Sequence, residues 1–205
     1  MKPLHHPSPD ILAAYASGTL EPGFGLVVGA HVEGCAECRA RLRTFEAVSG
    51  AALEDATPTA VADDALSRVM ARLDATASVQ PKTDTRPLLE RLPLKPKKWV
   101  APGVWVAAVD TPHAPENRVY LLSVAAGGLT ARHEHEGREF CTVLKGAYRD
   151  ELGLFAAGDF AAAEGELNHQ PRVEGDEECV CLFATEGRLK PQGFLARMVF
   201  AYANV

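Results

Sequence analysis

The residues with the clearest chemical potential lie near the start of the chain. His31, Cys35 and Cys38 form a His-x3-Cys-x2-Cys set. A helix that carried His31 into a short break before Cys35 would bring one imidazole and two sulfurs together, the donor types that Zn²⁺ takes in tetrahedral sites. His5 or His6 can supply a fourth donor, which would close the site and make it structural rather than catalytic. Cys35-Ala36-Glu37-Cys38 could also be a redox pair, but that chemistry wants a βαβ surrounding, and none is legible here. The chain has five cysteines, an odd number, and no export signal is evident at residues 1–12, so a disulfide framework is not expected.

A second constellation follows later. His133 and His135 are two residues apart, so in a strand both side chains point to one face, and Glu139 can return beside them after a turn at Glu136-Gly137. Cys141 shares that inward face if the strand is regular, near the histidines. Cys179 and Cys181 also share a face, but two residues of rise put their Cα atoms about 6.6 Å apart with parallel side chains, a poor geometry for a disulfide. His113, after Thr111-Pro112, reads as a solvent-exposed loop histidine, and Arg39, Arg41 and Arg43 read as a solvated helix edge that could meet acidic groups on a partner.

These groups need scaffolds, and the two halves of the chain supply different ones. At the N-terminal end, Ser8-Pro9 opens a helix with Ile11, Leu12 and Tyr15 on one face and Gly18 as its stop. A second helix starts near Glu21-Pro22 with Phe24, Val27, Val28 and His31 in register, a third carries Cys35, Cys38, Leu42 and Phe45, and a fourth spans Asp63 to Leu73 with Leu66, Val69, Met70 and Leu73. Beyond residue 99 the period changes to short β-rich runs around Val104, Val119, Val143, Phe160 and Val180, with glycine turns between them, the pattern of an all-β barrel or sandwich.

Charge marks the division. Residues 1–80 hold six Lys/Arg and ten Asp/Glu, residues 81–98 hold six and two, and residues 99–205 hold nine and fifteen. The basic piece also carries Pro81, Pro87, Pro93 and Pro96, so it reads as an extended linker that lets the flanking parts fold separately. The expected organisation is a helical domain at 1–80, the linker at 81–98 and a β-barrel domain at 99–205. A net charge of −6 repels phosphate backbones, which argues against direct nucleic-acid binding, and there is no apolar run of membrane-spanning length. A cytoplasmic protein is expected.

Two resemblances attach to these residues. His6, the helix ending in Ala16-Ser17-Gly18-Thr19-Leu20, and His31-Val-Glu-Gly-Cys35-Ala-Glu-Cys38 resemble the zinc-binding anti-sigma domain of the ChrR family. Carried over position by position, the resemblance implies His6, His31, Cys35 and Cys38 as zinc ligands, with His5 the adjacent rival. Gly127, His133-Glu-His135, Glu139 and Gly146 are similar to the first cupin motif. The second cupin motif is partial: Gly158, Asp159, Phe160 and His169 are in place, whereas Glu164, Glu166 and Val173 replace its usual Pro, Gly and Asn. The implied barrel site is His133, His135, Glu139 and His169, able to hold Zn or another divalent transition metal such as Fe, Mn, Ni or Cu.

A small zinc-stapled helical bundle followed by an all-β cupin barrel is the domain order of ChrR-type anti-sigma factors. The resemblance implies a regulator with no catalytic residues: a zinc-dependent anti-sigma factor that sequesters an extracytoplasmic-function (group IV) sigma factor, with the cupin needed for release under stress such as singlet oxygen or organic hydroperoxide. The alternative is a metal-dependent cupin enzyme, a dioxygenase or isomerase, with a structural zinc domain.

Overall fold

The computed structural model describes residues 2–75, 86–111, 117–163, 165, 167–187 and 189–203. The expectation for His113 and the motif positions Glu164 and Glu166 lie outside the described residues.

Four helices open the chain: α1 (Pro9–Ser17), α2 (Pro22–Gly34), α3 (Ala36–Glu54) and α4 (Ala65–Ala75). Pro9 starts α1, where a missing N–H costs nothing, and Gly18 ends it at φ 70°, its N–H reaching back to Ala14 and Tyr15. The junction between α2 and α3 is a single residue. Cys35 is extended (φ −106°, ψ 106°), its N–H closes α2 on His31 and Val32, and its sulfur accepts from the Cys38 N–H that begins α3. One non-helical residue therefore separates the two helices, and His31 and Cys38 meet across it.

The strands are β1 (Lys98–Ala101), β2 (Val104–Ala108), β3 (Asn117–Val124), β4 (His133–His135), β5 (Glu139–Lys145), β6 (Ala147–Asp150), β7 (Gly153–Ala156), β8 (Phe160–Ala163), β9 (Arg172–Glu174), β10 (Cys179–Glu186) and β11 (Leu189–Pro191). A six-stranded antiparallel sheet runs β1-β2-β3-β10-β5-β8, and smaller sheets, β11-β4 and β7-β6-β9, wrap the remaining side. A short helix, α6 (Phe194–Ala203), follows the last strand. Helices followed by a β-barrel are the architecture the sequence predicts.

The helices and the sheet share a core. Leu12, Phe24, Val27 and Val28 belong to one apolar cluster with Leu121, Phe140, Phe160 and Leu182 from the strands. The Phe24 and Phe140 rings lie 4.5 Å apart between centroids, and the Thr142 hydroxyl donates to the Val27 carbonyl at 2.8 Å. Gly23 allows this approach, because a Cβ there would come within 2.6 Å of Asn117 Cβ. Arg138 closes the contact, donating to Glu21 at 2.5 Å and to Glu186 at 2.7 Å. Part of the expected extended linker is docked too. Pro87 caps a one-turn helix, α5 (Leu88–Arg91), held to α2 by the Leu88 N–H on Glu33 at 2.9 Å and by Arg91 at 3.5 Å from the same carboxylate. Local capping and an ion partner outweigh the extended bias of the prolines.

One helical face stays exposed. On α4, Leu66, Val69, Met70 and Leu73 are 74%, 53%, 51% and 63% exposed, an apolar stripe at helical spacing that the described residues leave open. Among the described residues no single helix is long and apolar enough to cross a membrane; α1 and α2 reach that composition together but bend by 111° between them.

The shared core makes a direct prediction. Trp99 and Trp105 both lie in the barrel, so tryptophan fluorescence reports barrel unfolding. Phe24→Ala, in a helix, should lower barrel stability by about 3 to 5 kcal/mol in urea titrations. An unchanged fluorescence midpoint would mean that the helices fold apart from the strands.

Candidate metal centres

The first cluster sits where α2, α3 and the N-terminal segment meet. His31 Nε2 lies 3.2 Å from Cys38 Sγ and 3.4 Å from His6 Nδ1, which in turn is 3.4 Å from Cys35 Sγ and 3.5 Å from Cys38 Sγ. All four donor atoms lie within 4.8 Å of one another. A tetrahedron built on Zn–N and Zn–S bonds of about 2.1 and 2.3 Å has edges of about 3.3 to 3.8 Å, so these separations match a shell around one ion.

Protons explain why the cluster needs that ion. The Nδ1–H of His31 donates to the Gly158 carbonyl at 2.7 Å, so its Nε2 is bare and faces a sulfur and another ring nitrogen. His6 Nε2 points to Glu37 at 3.7 Å, which leaves Nδ1 for the cluster. Burial, helped by Cys35 beside it, pushes the Cys38 thiol up to about 12, and burial lowers the His31 pKa. The His31 ring and the Nδ1 of His6 beside two buried sulfurs form an electron-rich pocket that a divalent cation satisfies. Of the two rivals, His6 is the one in the cluster; the His5 ring packs on Phe155 at 4.4 Å and its Nδ1 lies 3.3 Å from Asp159.

The barrel holds this cluster in place through the turn between β7 and β8. Asp159 Oδ1 accepts from the N–H groups of Leu4 and His5 at 2.6 and 3.0 Å, and its Oδ2 accepts from Ala156 at 2.8 Å. The Phe160 N–H donates to the His5 carbonyl at 3.1 Å. Burial pushes the Asp159 carboxyl up, but the N–H donors of Ala156, His5 and Leu4 outweigh it and hold the group below its ordinary value. Gly158 therefore holds one candidate ligand by its ring, while Asp159 and Phe160 hold the backbone that delivers another.

The second cluster lies inside the barrel. His133 and His135 point inward from β4, and His169, bridged to His133 by backbone hydrogen bonds, joins them. His169 Nε2 is 3.1 Å from His135 Nε2 and 3.2 Å from His133 Nε2. Here too the ring protons are placed elsewhere: His133 Nδ1 donates to the Ala131 carbonyl at 2.8 Å and His169 Nδ1 to Asp150 Oδ2 at 2.9 Å. Bare nitrogens this close repel unless a cation lies between them. Desolvation brings His133 down to about 4 and His135 to about 3, so both rings are neutral donors near pH 7.

Glu139, expected as the fourth donor, is placed differently. The three converging atoms belong to the histidines, while Glu139 Oε2 stands 3.5 Å from His135 Nδ1, on the outer side of that ring. The chain reverses between β4 and β5, and this sets Glu139 beside the far nitrogen. Neither atom makes a hydrogen bond, and burial raises the carboxyl to about 8.

The other singled-out residues are also located. Cys141, Cys179 and Cys181 are buried, with Cys179 and Cys181 sulfurs 3.7 Å apart. Arg39 donates to the Val32 and Glu33 carbonyls at 2.9 and 2.7 Å, capping α2, and Arg41 pairs with Glu37 at 2.8 Å. Sequence reasoning missed Glu37, Asp150 and the Gly158 carbonyl as partners of candidate ligands. Asp159 is legible in the sequence only as a motif residue.

Comparison with known proteins places the whole chain. The family model for the ChrR cupin-like domain matches residues 94–189. The anti-sigma-E factor ChrR of Cereibacter sphaeroides is 37% identical over 211 residues, covering 98% of this chain and 98% of its own. The crystal structure of Rhodobacter sphaeroides SigE in complex with the anti-sigma ChrR matches with a TM-score of 0.79 at 38% identity, over 90% of this chain and 100% of the matched chain.

Two outcomes test the first cluster. Metal binding must displace the Cys38 proton, so zinc affinity should rise at least about tenfold from pH 6.5 to 7.5 in competition titrations; a flat profile would exclude Cys38 thiolate as a donor. Asp159→Asn keeps the shape but weakens the grip on the N-terminal segment, and zinc should bind about tenfold more weakly, as for other residues that orient ligands.

Proposed function

This chain belongs to the ChrR family of anti-sigma factors, and we propose that it sequesters a sigma factor of the extracytoplasmic-function group through its helical part. The observation that carries this reading is the likeness, over nearly the whole chain, to a protein solved in complex with its sigma factor. The exposed stripe of Leu66, Val69, Met70 and Leu73 supports it from within this chain, because an unpaired apolar helix face suits a helical partner. Its relative is a regulator of transcription, which favours regulation over cupin enzymology for the barrel.

The two clusters then have different tasks. Zinc held by His6, His31, Cys35 and Cys38 fixes α1, α2 and α3 against one another, and so sets the surface that meets sigma. In the barrel, His133, His135 and His169 hold a divalent transition metal. Glu139 joins them as the fourth donor by turning its unpartnered carboxylate oxygen inward, which removes a buried polar atom left without a hydrogen bond. Residues 1–80 form the sigma-binding part, residues 81–98 the connection and residues 99–205 the sensing part, working in the cytoplasm without membrane or nucleic-acid contacts of its own. Singlet oxygen and organic hydroperoxide are the stresses we assign to it. A change at the barrel site reaches the zinc cluster through the Gly158-Asp159-Phe160 turn, which touches both the ring of His31 and the segment that bears His6.

Sigma binding is tested by pairing the full chain with candidate sigma factors. Leu66→Glu with Leu73→Glu should cut co-purification at least a hundredfold and relieve repression of a sigma-dependent promoter, while leaving zinc content unchanged. Retained repression would move the interface away from α4. For the barrel, His133→Ala with His169→Ala should preserve repression before stress but blunt induction by singlet oxygen or hydroperoxide; full induction in that variant would remove the barrel metal from signalling.

A further inference from the structure

The barrel interior is hollow and unevenly lined. A cavity of about 270 Å³ lies within it, bounded by His133, Glu139, Asp150 and His169 and otherwise mainly by apolar side chains. Barrels of this width can fill their interiors with side chains. Here several of the lining positions hold small ones, among them Ala161, Ala163, Cys141 and Cys181, beside larger ones such as Tyr120 and Phe183.

The register shows the shape. Glu139 stands level with Thr185 on β10, whereas Cys179, also in the lining, stands level with Val124 at the other end of the same strand. Six residues of strand separate those levels, about 20 Å. The cavity is therefore elongated along the strands, with its polar groups at one end and an apolar body beyond. Leu129 and Leu152 belong to the lining and are 47% and 55% exposed, so the way in is apolar as well.

A ligand for this space must match both ends. At the polar end, His133 and His169 each donate an Nδ1–H outward, so their Nε2 lone pairs converge on the cavity, and a cation held there would present positive charge to an incoming oxygen. Asp150 is already engaged by His169 Nδ1. For the body, an apolar cavity of about 150 Å³ holds benzene, so the 270 Å³ here suits roughly ten to twelve non-hydrogen atoms. We propose that the barrel cavity, with a divalent cation at its three histidines, binds an unbranched monocarboxylic acid of about eight to ten carbons, its carboxylate drawn to that cation and its tail along β5, β8 and β10. Such a tail lies against Ala161, two residues from the Asp159 clamp. Any effect on sigma release rests on the anti-sigma reading; binding itself does not.

The test uses the purified full chain loaded with zinc, octanoate and calorimetric titration, with no sigma factor present, so a failure of the anti-sigma reading leaves the result untouched. From butanoate to octanoate the affinity should rise about fourfold per added methylene, as expected for burial of each group, and stop rising by dodecanoate. Octylamine, with the same tail and opposite charge, should bind at least tenfold more weakly than octanoate. Ala161→Leu, which fills part of the cavity, should weaken octanoate at least tenfold with an unchanged thermal midpoint; if that variant does not fold, the chain-length series on the unaltered protein decides. No octanoate binding at millimolar concentration, affinity independent of chain length, or equal binding of octylamine would overturn the proposal.

Discussion

The ring of His31 is the point on which the two halves of the molecule turn. It is fully buried, one nitrogen donates to the Gly158 carbonyl of the barrel, and the other faces the cysteine cluster of the helices. A buried imidazole has two polar atoms to satisfy, and here each half of the chain satisfies one. Fixing the tautomer at Nδ1 makes Nε2 a metal donor, and fixing the ring plane sets where the ion sits. The position of α2 on the sheet follows from the same bond, because α2 cannot slide without withdrawing the ring. Around that bond, the Phe24–Phe140 contact and the Arg138 bridge to Glu21 and Glu186 reinforce one arrangement.

Legibility in the sequence tracked how local each signal was. His31, Cys35 and Cys38 lie within eight residues, and their spacing alone announced a cluster. The choice between His5 and His6 was not legible, because neighbours in an extended segment point opposite ways and only the register of the Phe160 N–H on the His5 carbonyl decides which ring faces inward. Phe24, Val27 and Val28 read correctly as a buried helical stripe, but a stripe does not say what covers it, so the core they share with Leu121 and Leu182 was hidden. A backbone carbonyl such as that of Gly158 has no side-chain signature at all. Glu139 was legible as a residue near the histidines, not in the orientation of its carboxylate.

The helices divide their labour by exposure. α2 buries Phe24, Val27, Val28 and His31 against the barrel and the cluster, and α4 leaves its apolar stripe in water. A chain of this composition could have covered that stripe with its own residues; leaving it open costs solubility and suits a surface whose partner arrives from outside. The barrel shows the same economy of packing inside, where alanines and cysteines stand beside unfilled space.

The bond between His31 and Gly158 joins residues 127 positions apart, and a ribosome delivers them in order. At synthesis rates of about 5 to 20 residues per second, the cysteines of the cluster emerge roughly 6 to 24 seconds before the turn that grips its histidine side. During that interval the nascent helices carry their thiols, their bare apolar faces and the stripe of α4 without the barrel. The cysteines and His31 are thus available to a metal ion before the carbonyl that orients the His31 ring has been made.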